Sequence, residues 1–181
     1  DAVRVRPPAF PHSLETFART TADQIVERAR DAEIIILNKV AMRAETLAQL
    51  PKLKMIAVAA TGTDNIDLNV CKERGIIVSN IRGYAIATVP EHTMGLMLSL
   101  SRSIRPYHVS VAKGRWGEAA QFCYFDYPIF DLKGKVLGII GDGVLGKSIA
   151  KLGEAFGMEV RFSTYKGVDG MGPLYTPFER I

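Results

Sequence analysis

This sequence predicts an α/β fold built on parallel sheets, and three observations carry the prediction. Short apolar runs rich in β-branched residues alternate with amphipathic segments along the 181 residues. The connections between them are short, which suits strands that run parallel beneath covering helices. A glycine-rich hexapeptide, Gly141 to Gly146, stands between a predicted strand and a predicted helix.

The elements follow in order. Residues 21–30 read as a helix: Thr21 and Gln24 have capping-box spacing, and Ile25, Val26 and Ala29 make an apolar face. Residues 32–37 (AEIIIL) form a buried strand. Residues 43–50 form a short helix stopped by Pro51, and residues 54–59 (KMIAVA) a second strand. Asp67 caps a helix that runs to Arg74 and stops at Gly75; a third strand covers 76–79. Thr88 and Glu91 have the spacing of a reciprocal cap, with Pro90 tolerated in the first turn of a longer helix. Met94, Met97 and Leu98 line one side of it and Leu96 and Leu100 another, so it should be buried on two sides or lie in an interface. Residues 105–130 are less periodic and carry Trp116, Phe122, Tyr124, Phe125, Tyr127 and Phe130. They read as an arm over another surface, a partner subunit among the choices, or as a loop packed on its own domain. Regularity returns with a strand over 135–140, a helix over 147–156 ended by Gly157, and a strand over 159–164.

Composition excludes several classes. Hydrophobic residues make up 48% and charged residues 23%, unlike a disordered or collagen-like chain. The net charge of +4 contains no basic block, so no nucleic-acid partner is expected. No apolar run approaches a membrane span, and no signal-peptide pattern opens the chain. Cys71 and Cys123 lie far apart and form no compact metal motif with His12, His92 or His108; a reduced, cytoplasmic, metal-free protein is expected.

The glycine loop carries the chemistry. Gly141 permits the tight turn, Gly143 leaves room for a pyrophosphate and would strain the turn if replaced, and Gly146 lets helix approach strand. The amides of Val144 and Leu145 would then face the phosphates. A purely structural turn is the alternative. Asp142 must turn away from those phosphates or repel them. The following strand ends at Thr164, where an acidic residue would hold the adenosine ribose; Tyr165 and Lys166 follow. NAD stays ahead of NADP as cofactor, with NADP still open because no acid repels a 2′-phosphate and Lys166 attracts one.

Several ordered motifs add to the loop: residues 59–67 (AATGTDNID), Gly75-Ile76 with Val78 and Asn80, Arg82-Gly83-Tyr84, and Val89-Pro90-Glu91-His92. With them the chain resembles the D-isomer-specific 2-hydroxyacid dehydrogenases over nearly its whole length. The resemblance implies a flavodoxin-like substrate lobe over 1–84, then the first half of a Rossmann nucleotide-binding lobe over 85–181. The latter would include an interdomain helix, 88–104, and a dimerisation arm, 105–130. It implies that the backbone of Ala60, Thr61 and Gly62 meets a substrate carboxylate and that Thr61 approaches the nicotinamide. A packed turn is the plainer reading of the same residues. Asn80 and Arg82 end a parallel strand, where ligands bind, so both are candidate substrate residues.

The expected activity is hydride transfer between NAD(H) and a D-2-hydroxy acid or 2-keto acid, D-glycerate and hydroxypyruvate foremost, in a homodimer. The alternative is a non-catalytic dinucleotide-sensing or corepressor-like protein. The resemblance places the catalytic arginine, glutamate and histidine beyond Ile181, so no residue here is expected to be catalytic. His92 follows Glu91 directly, and adjacent helical residues do not face each other. The start at Asp1 and the stop at Ile181 lead us to expect a partial chain, with Asp1 ending a strand otherwise absent.

Overall fold

The structure is a computed structural model that describes residues 6–168 and 172–181; the strand end expected at Asp1 lies outside them. Contacts divide the chain into two units, residues 1–82 and 83–181.

The first unit holds β1 (Ile34–Leu37), β2 (Met55–Val58) and β3 (Ile77–Asn80), paired parallel in the order β1-β2-β3. Ile35, Ile56 and Val78 align across the sheet, as do Leu37, Val58 and Asn80. With a side-chain period of two, these residues share one face. Helices α1 (Ile25–Ala29), α2 (Ala44–Leu47) and α3 (Leu68–Glu73) send Ile25, Ala29, Leu47 and Cys71 into the core on that face. The opposite face, with Ile34, Ile36 and Ile77, is exposed. The expectation of helical cover thus holds for one face only.

Local chemistry explains the ends. Gln24 Oε1 accepts from the Thr21 amide at 3.2 Å, but the first turn is a 3₁₀ turn and the α-helix begins at Ile25. The Asp67 carboxylate accepts from Val70 N at 3.2 Å and caps α3, and Gly75 ends it at φ +69°. A left-handed residue there favours glycine.

The second unit opens with α4 (Thr88–Ser101). Thr88 is its first helical residue and not its cap, and no side chain caps it. The preceding turn supplies the acceptors instead: Val89 N donates to Ala85 O and Glu91 N to Ala87 O, both at 3.1 Å. Met94 and Pro90 are buried, whereas Leu96 and Leu100 are exposed. The helix expected over 88–104 breaks at Arg102 and Ser103, where Ser103 is left-handed at φ 50° and its hydroxyl donates to Pro128 O at 2.6 Å. The expected irregular arm begins as a helix, α5 (Ile104–Ala112). Pro106 falls in its first turn, where a proline removes no intrahelical bond.

Residues 115–131 fold back on this helical pair. The Tyr107 hydroxyl donates to Tyr127 O at 2.9 Å, Phe130 N donates to Ser101 O at 2.7 Å, and Arg102 pairs with Asp131 at 2.7 Å. Arg115 grips Asp126 with two nitrogens, at 2.7 and 3.1 Å. The polar groups pin the arm to its own unit and leave Phe122, Phe125 and Trp116 exposed.

Strands β4 (Val136–Ile140) and β5 (Glu159–Ser163) pair parallel around α6 (Val144–Ala155). The helix starts three residues before its expected start, directly after Gly143. Gly153 lets α6 settle on β4: a Cβ there would lie 2.6 Å from Leu137 Cδ2. The last residues return to the sheet. Thr176 N donates to Phe162 O at 2.7 Å, and Ile181 lies where a Cβ on Gly138 would meet it at 2.7 Å.

Candidate functional site

The glycine loop is built as β4–turn–α6. Gly141 has φ +90°, a conformation that an L side chain adopts only with strain. A Cβ on Gly146 would collide with Gly141 O and approach Ile139 Cγ2 at 3.3 Å, so this glycine sets the helix-to-strand distance. Gly143 differs. Its φ of −64° suits any residue, and a Cβ there would have nothing within 4 Å. The expectation of strain at Gly143 is therefore corrected: its backbone is unstrained and the space in front of it is open.

The first helical amide with an acceptor is Lys147 N, which donates to Gly143 O at 2.9 Å. The amides of Val144, Leu145 and Gly146 precede it, and no side chain caps them. Uncapped helix-start amides beside an open backbone suit an anion. The Asp142 carboxylate lies 3.7 Å from Lys147 Nζ. The neighbouring Tyr175 hydroxyl holds its carboxyl below the usual carboxylate range, with Lys147 adding to the effect, and the carboxylate in turn pushes the Tyr175 hydroxyl up.

Beyond β5, Thr164 is buried and its hydroxyl donates to Val168 O at 2.9 Å. The first exposed side chain there is Tyr165, whose hydroxyl stands 3.5 Å from where a Gly141 Cβ would be. Neither tyrosine contact was legible in the sequence, since each needs a chain return that no local pattern encodes.

In the first unit, the turn after β2 is cross-linked to the end of β3. Asn80 Nδ2 donates to Thr61 O at 2.7 Å, and the Thr61 hydroxyl donates to Ile81 O at 2.9 Å. Ile81 N closes the frame by donating to Ala60 O at 3.1 Å. Thr61 and Gly62 are exposed, and among the described residues their amides donate to no protein acceptor. Asn80 thus spends a donor on the turn itself. Arg82 is exposed, with no hydrogen bond or ion pair among the described residues. The histidines stay apart: His12 Nδ1 lies 2.7 Å from Phe10 O, and His92 and His108 are exposed. No group of three or more His, Cys, Asp or Glu that could hold a metal occurs among the described residues.

Two parallel α/β units, the second opening its sheet on a G-x-G-x-x-G turn, define the class: a two-unit α/β protein with a phosphate-type loop. The chain belongs to the D-isomer-specific 2-hydroxyacid dehydrogenase family, whose catalytic-domain model matches residues 7–175. It is 56% identical over 168 residues to the glycerate dehydrogenase of Methylorubrum extorquens, covering 92% of this chain and 54% of that protein. It is 34% identical over 148 residues to the hydroxypyruvate reductase of Blautia hydrogenotrophica, covering 81% and 46%. Among solved structures it resembles D-lactate dehydrogenase from Aquifex aeolicus, crystallised with NAD and lactic acid, at TM-score 0.65 and 30% identity over 83% of this chain and 45% of that one. The chain therefore spans about half the length of the curated relatives it matches.

Proposed function

We propose that the native-length protein transfers a hydride between NAD(H) and a D-2-hydroxy acid or its 2-keto acid, with D-glycerate and hydroxypyruvate as the pair. The observation that carries this reading is the open, uncapped loop at Gly143, in a chain whose 56%-identical relative is a glycerate dehydrogenase. A nicotinamide dinucleotide supplies the hydride when bound. Gly143, Val144, Leu145 and Gly146 would hold its pyrophosphate through backbone amides, and Gly141 sets the turn that aims them. Thr164 retains its oxygen lone pairs for a ribose hydroxyl, although its proton is committed to Val168. NADP is held open on the same ground as NAD.

The framed turn at Ala60, Thr61 and Gly62 would present its free amides to the substrate carboxylate, with Arg82 supplying positive charge at the end of β3. Asn80 supports that turn. Among the described residues no histidine has a carboxylate partner, so we assign no proton donor for the alkoxide among them. Exposed Leu100, Phe122 and Phe125 support a second copy as partner, and the free thiols of Cys71 and Cys123 support a cytoplasmic setting. No described helix is long and apolar enough to cross a membrane.

The test follows loss of NADH absorbance with hydroxypyruvate. Native-length protein should turn over at about 1 per second or faster. Residues 1–181 alone should show a rate lower by a factor of about 10² or more, the usual contribution of acid catalysis. No turnover by the native-length protein with any D-2-hydroxy or 2-keto acid would sink the reading. Full turnover by the 181 residues would put the proton donor among them, with His92 the first to replace.

A further inference from the structure

Strand β5 ends beside the glycine loop itself. Ile140 pairs with Ser163 across the sheet, and Gly141 N donates to Ser163 O at 3.1 Å. Residues 164–168 therefore leave β5 directly next to Gly141, where the adenosine ribose of a dinucleotide held by such a loop is read. We propose that this corner takes the 2′-phosphate of NADP(H), with Lys166 as the residue that binds it, so that the protein accepts NADPH at least as tightly as NADH. The inference rests on the dinucleotide reading of the loop and names the nucleotide that the loop serves.

Selection of NAD over NADP needs a carboxylate that holds the ribose hydroxyls and repels a 2′-phosphate. Residues 160–168 contain no acid, and Asp169, the next in sequence, lies outside the described residues. At the strand end stands Thr164, 7% exposed, its proton committed to Val168 O at 2.9 Å. It can accept a hydrogen bond from a hydroxyl but carries no charge to repel a phosphate. The chain then closes a tight turn. Val168 N donates to Tyr165 O at 3.1 Å, and Gly167 takes φ +77°, the left-handed value that glycine supplies in such turns. Lys166 stands at the tip of this turn, exposed, with no hydrogen bond or ion pair among the described residues. The neighbouring cations have partners: Arg161 pairs with Glu159 at 2.7 Å, and Lys147 Nζ lies 3.7 Å from Asp142. Tyr165 places its hydroxyl 3.5 Å from where a Gly141 Cβ would be, so the turn lies against the loop. An ammonium on a closed turn at the ribose corner gains a charge-assisted bond from a phosphate and only a neutral acceptor from a hydroxyl.

The experiment titrates native-length protein calorimetrically with NADPH and NADH, and with adenosine 2′,5′-bisphosphate and 5′-AMP, a pair that differs only in the 2′-phosphate. NADPH should bind at least as tightly as NADH, and the bisphosphate more tightly than AMP. Lys166→Gln should weaken NADPH and the bisphosphate roughly three- to tenfold, the size of a charge-assisted contact at an exposed site, and leave NADH and AMP unchanged. Lys166→Arg should retain the affinity for both 2′-phosphorylated ligands. The difference between Lys166→Gln and the unaltered protein should shrink as salt is raised. NADPH binding weaker than that of NADH overturns the proposal. A Lys166→Gln protein that keeps its NADPH affinity, or loses NADH to the same degree, overturns it as well. If the unaltered protein binds neither dinucleotide, the reading of the loop falls and takes this inference with it; NADH bound and NADPH excluded leaves that reading standing and removes the 2′-phosphate site alone.

Discussion

The two units use the same strand–helix alternation but bury it to different depths. Residues 25–76 place twelve hydrophobic side chains in one contiguous core, Leu47, Leu50 and Ile56 among them with no exposed surface. In the second unit only Met94, Ile139, Ala150 and Met158 are buried hydrophobics among the described residues, and the buried polar residues Ser103, Ser110, Ser163 and Thr164 all lie there. The first unit is held by packing. The second relies more on hydrogen bonds, which fix geometry and contribute about 0.5 to 1.5 kcal/mol each, and on close glycine contacts. A turn framed on a packed core and a loop set by backbone approach are thus two ways of pre-shaping a binding surface.

The largest test of this contrast is a pair of truncations. Ile56→Ala should destabilise the first unit by about 2 to 5 kcal/mol, as for fully buried aliphatic side chains. Val136→Ala, at a β4 position 46% exposed, should cost under about 1 kcal/mol. Denaturant unfolding of each variant measures both, and equal costs would dissolve the contrast.

A second pair separates geometry from ligand within the loop. Gly143→Val should leave the melting temperature unchanged and reduce dinucleotide affinity about tenfold or more, equivalent to roughly 1.4 kcal/mol. Gly146→Ala should lower stability by about 1 to 3 kcal/mol, because its Cβ meets Gly141 O in a packed contact. Calorimetry and thermal melting on both variants decide the matter. A Gly143→Val protein that melts early but binds normally would reverse the assignment.

The smallest effect concerns the frame in the first unit. Asn80→Ala removes the donor to Thr61 O and should cost about 0.5 to 1.5 kcal/mol. Faster hydrogen exchange at Ile81, whose amide bonds Ala60 O in the same frame, should accompany a raised KM for the acid. Exchange unchanged at Ile81 would mean that Asn80 does not support the turn.

Much of this was legible in the sequence because the signals are local. Apolar runs place every strand to within two residues, and Asp67 and Gly75 mark both ends of α3. The failures share a different cause: a neighbouring segment overrode a local sign. Thr88 looks like a cap, but the preceding turn already satisfies the helix. Residues 105–130 look irregular, yet they open on the helix Ile104–Ala112, held by the chain that folds back on it. Gly143 looks strained in a glycine-rich string, but only Gly141 takes a positive φ within that loop. Tyr175 comes to neighbour Asp142 from far along the chain, and no periodicity announces such a meeting.

One cysteine lies in each unit. Cys71 is 1% exposed, and burial pushes its thiol up, with Asp67 adding to the effect and Arg74 opposing it. Cys123 is partly open to solvent. A thiol reagent therefore reads two clocks on one molecule. Cys123 reports the chemistry of a reachable sulfur, whereas Cys71 is alkylated only as often as the first unit opens. The slow phase of labelling, followed against denaturant, gives the opening equilibrium of that unit without a fluorescent tag or an added probe.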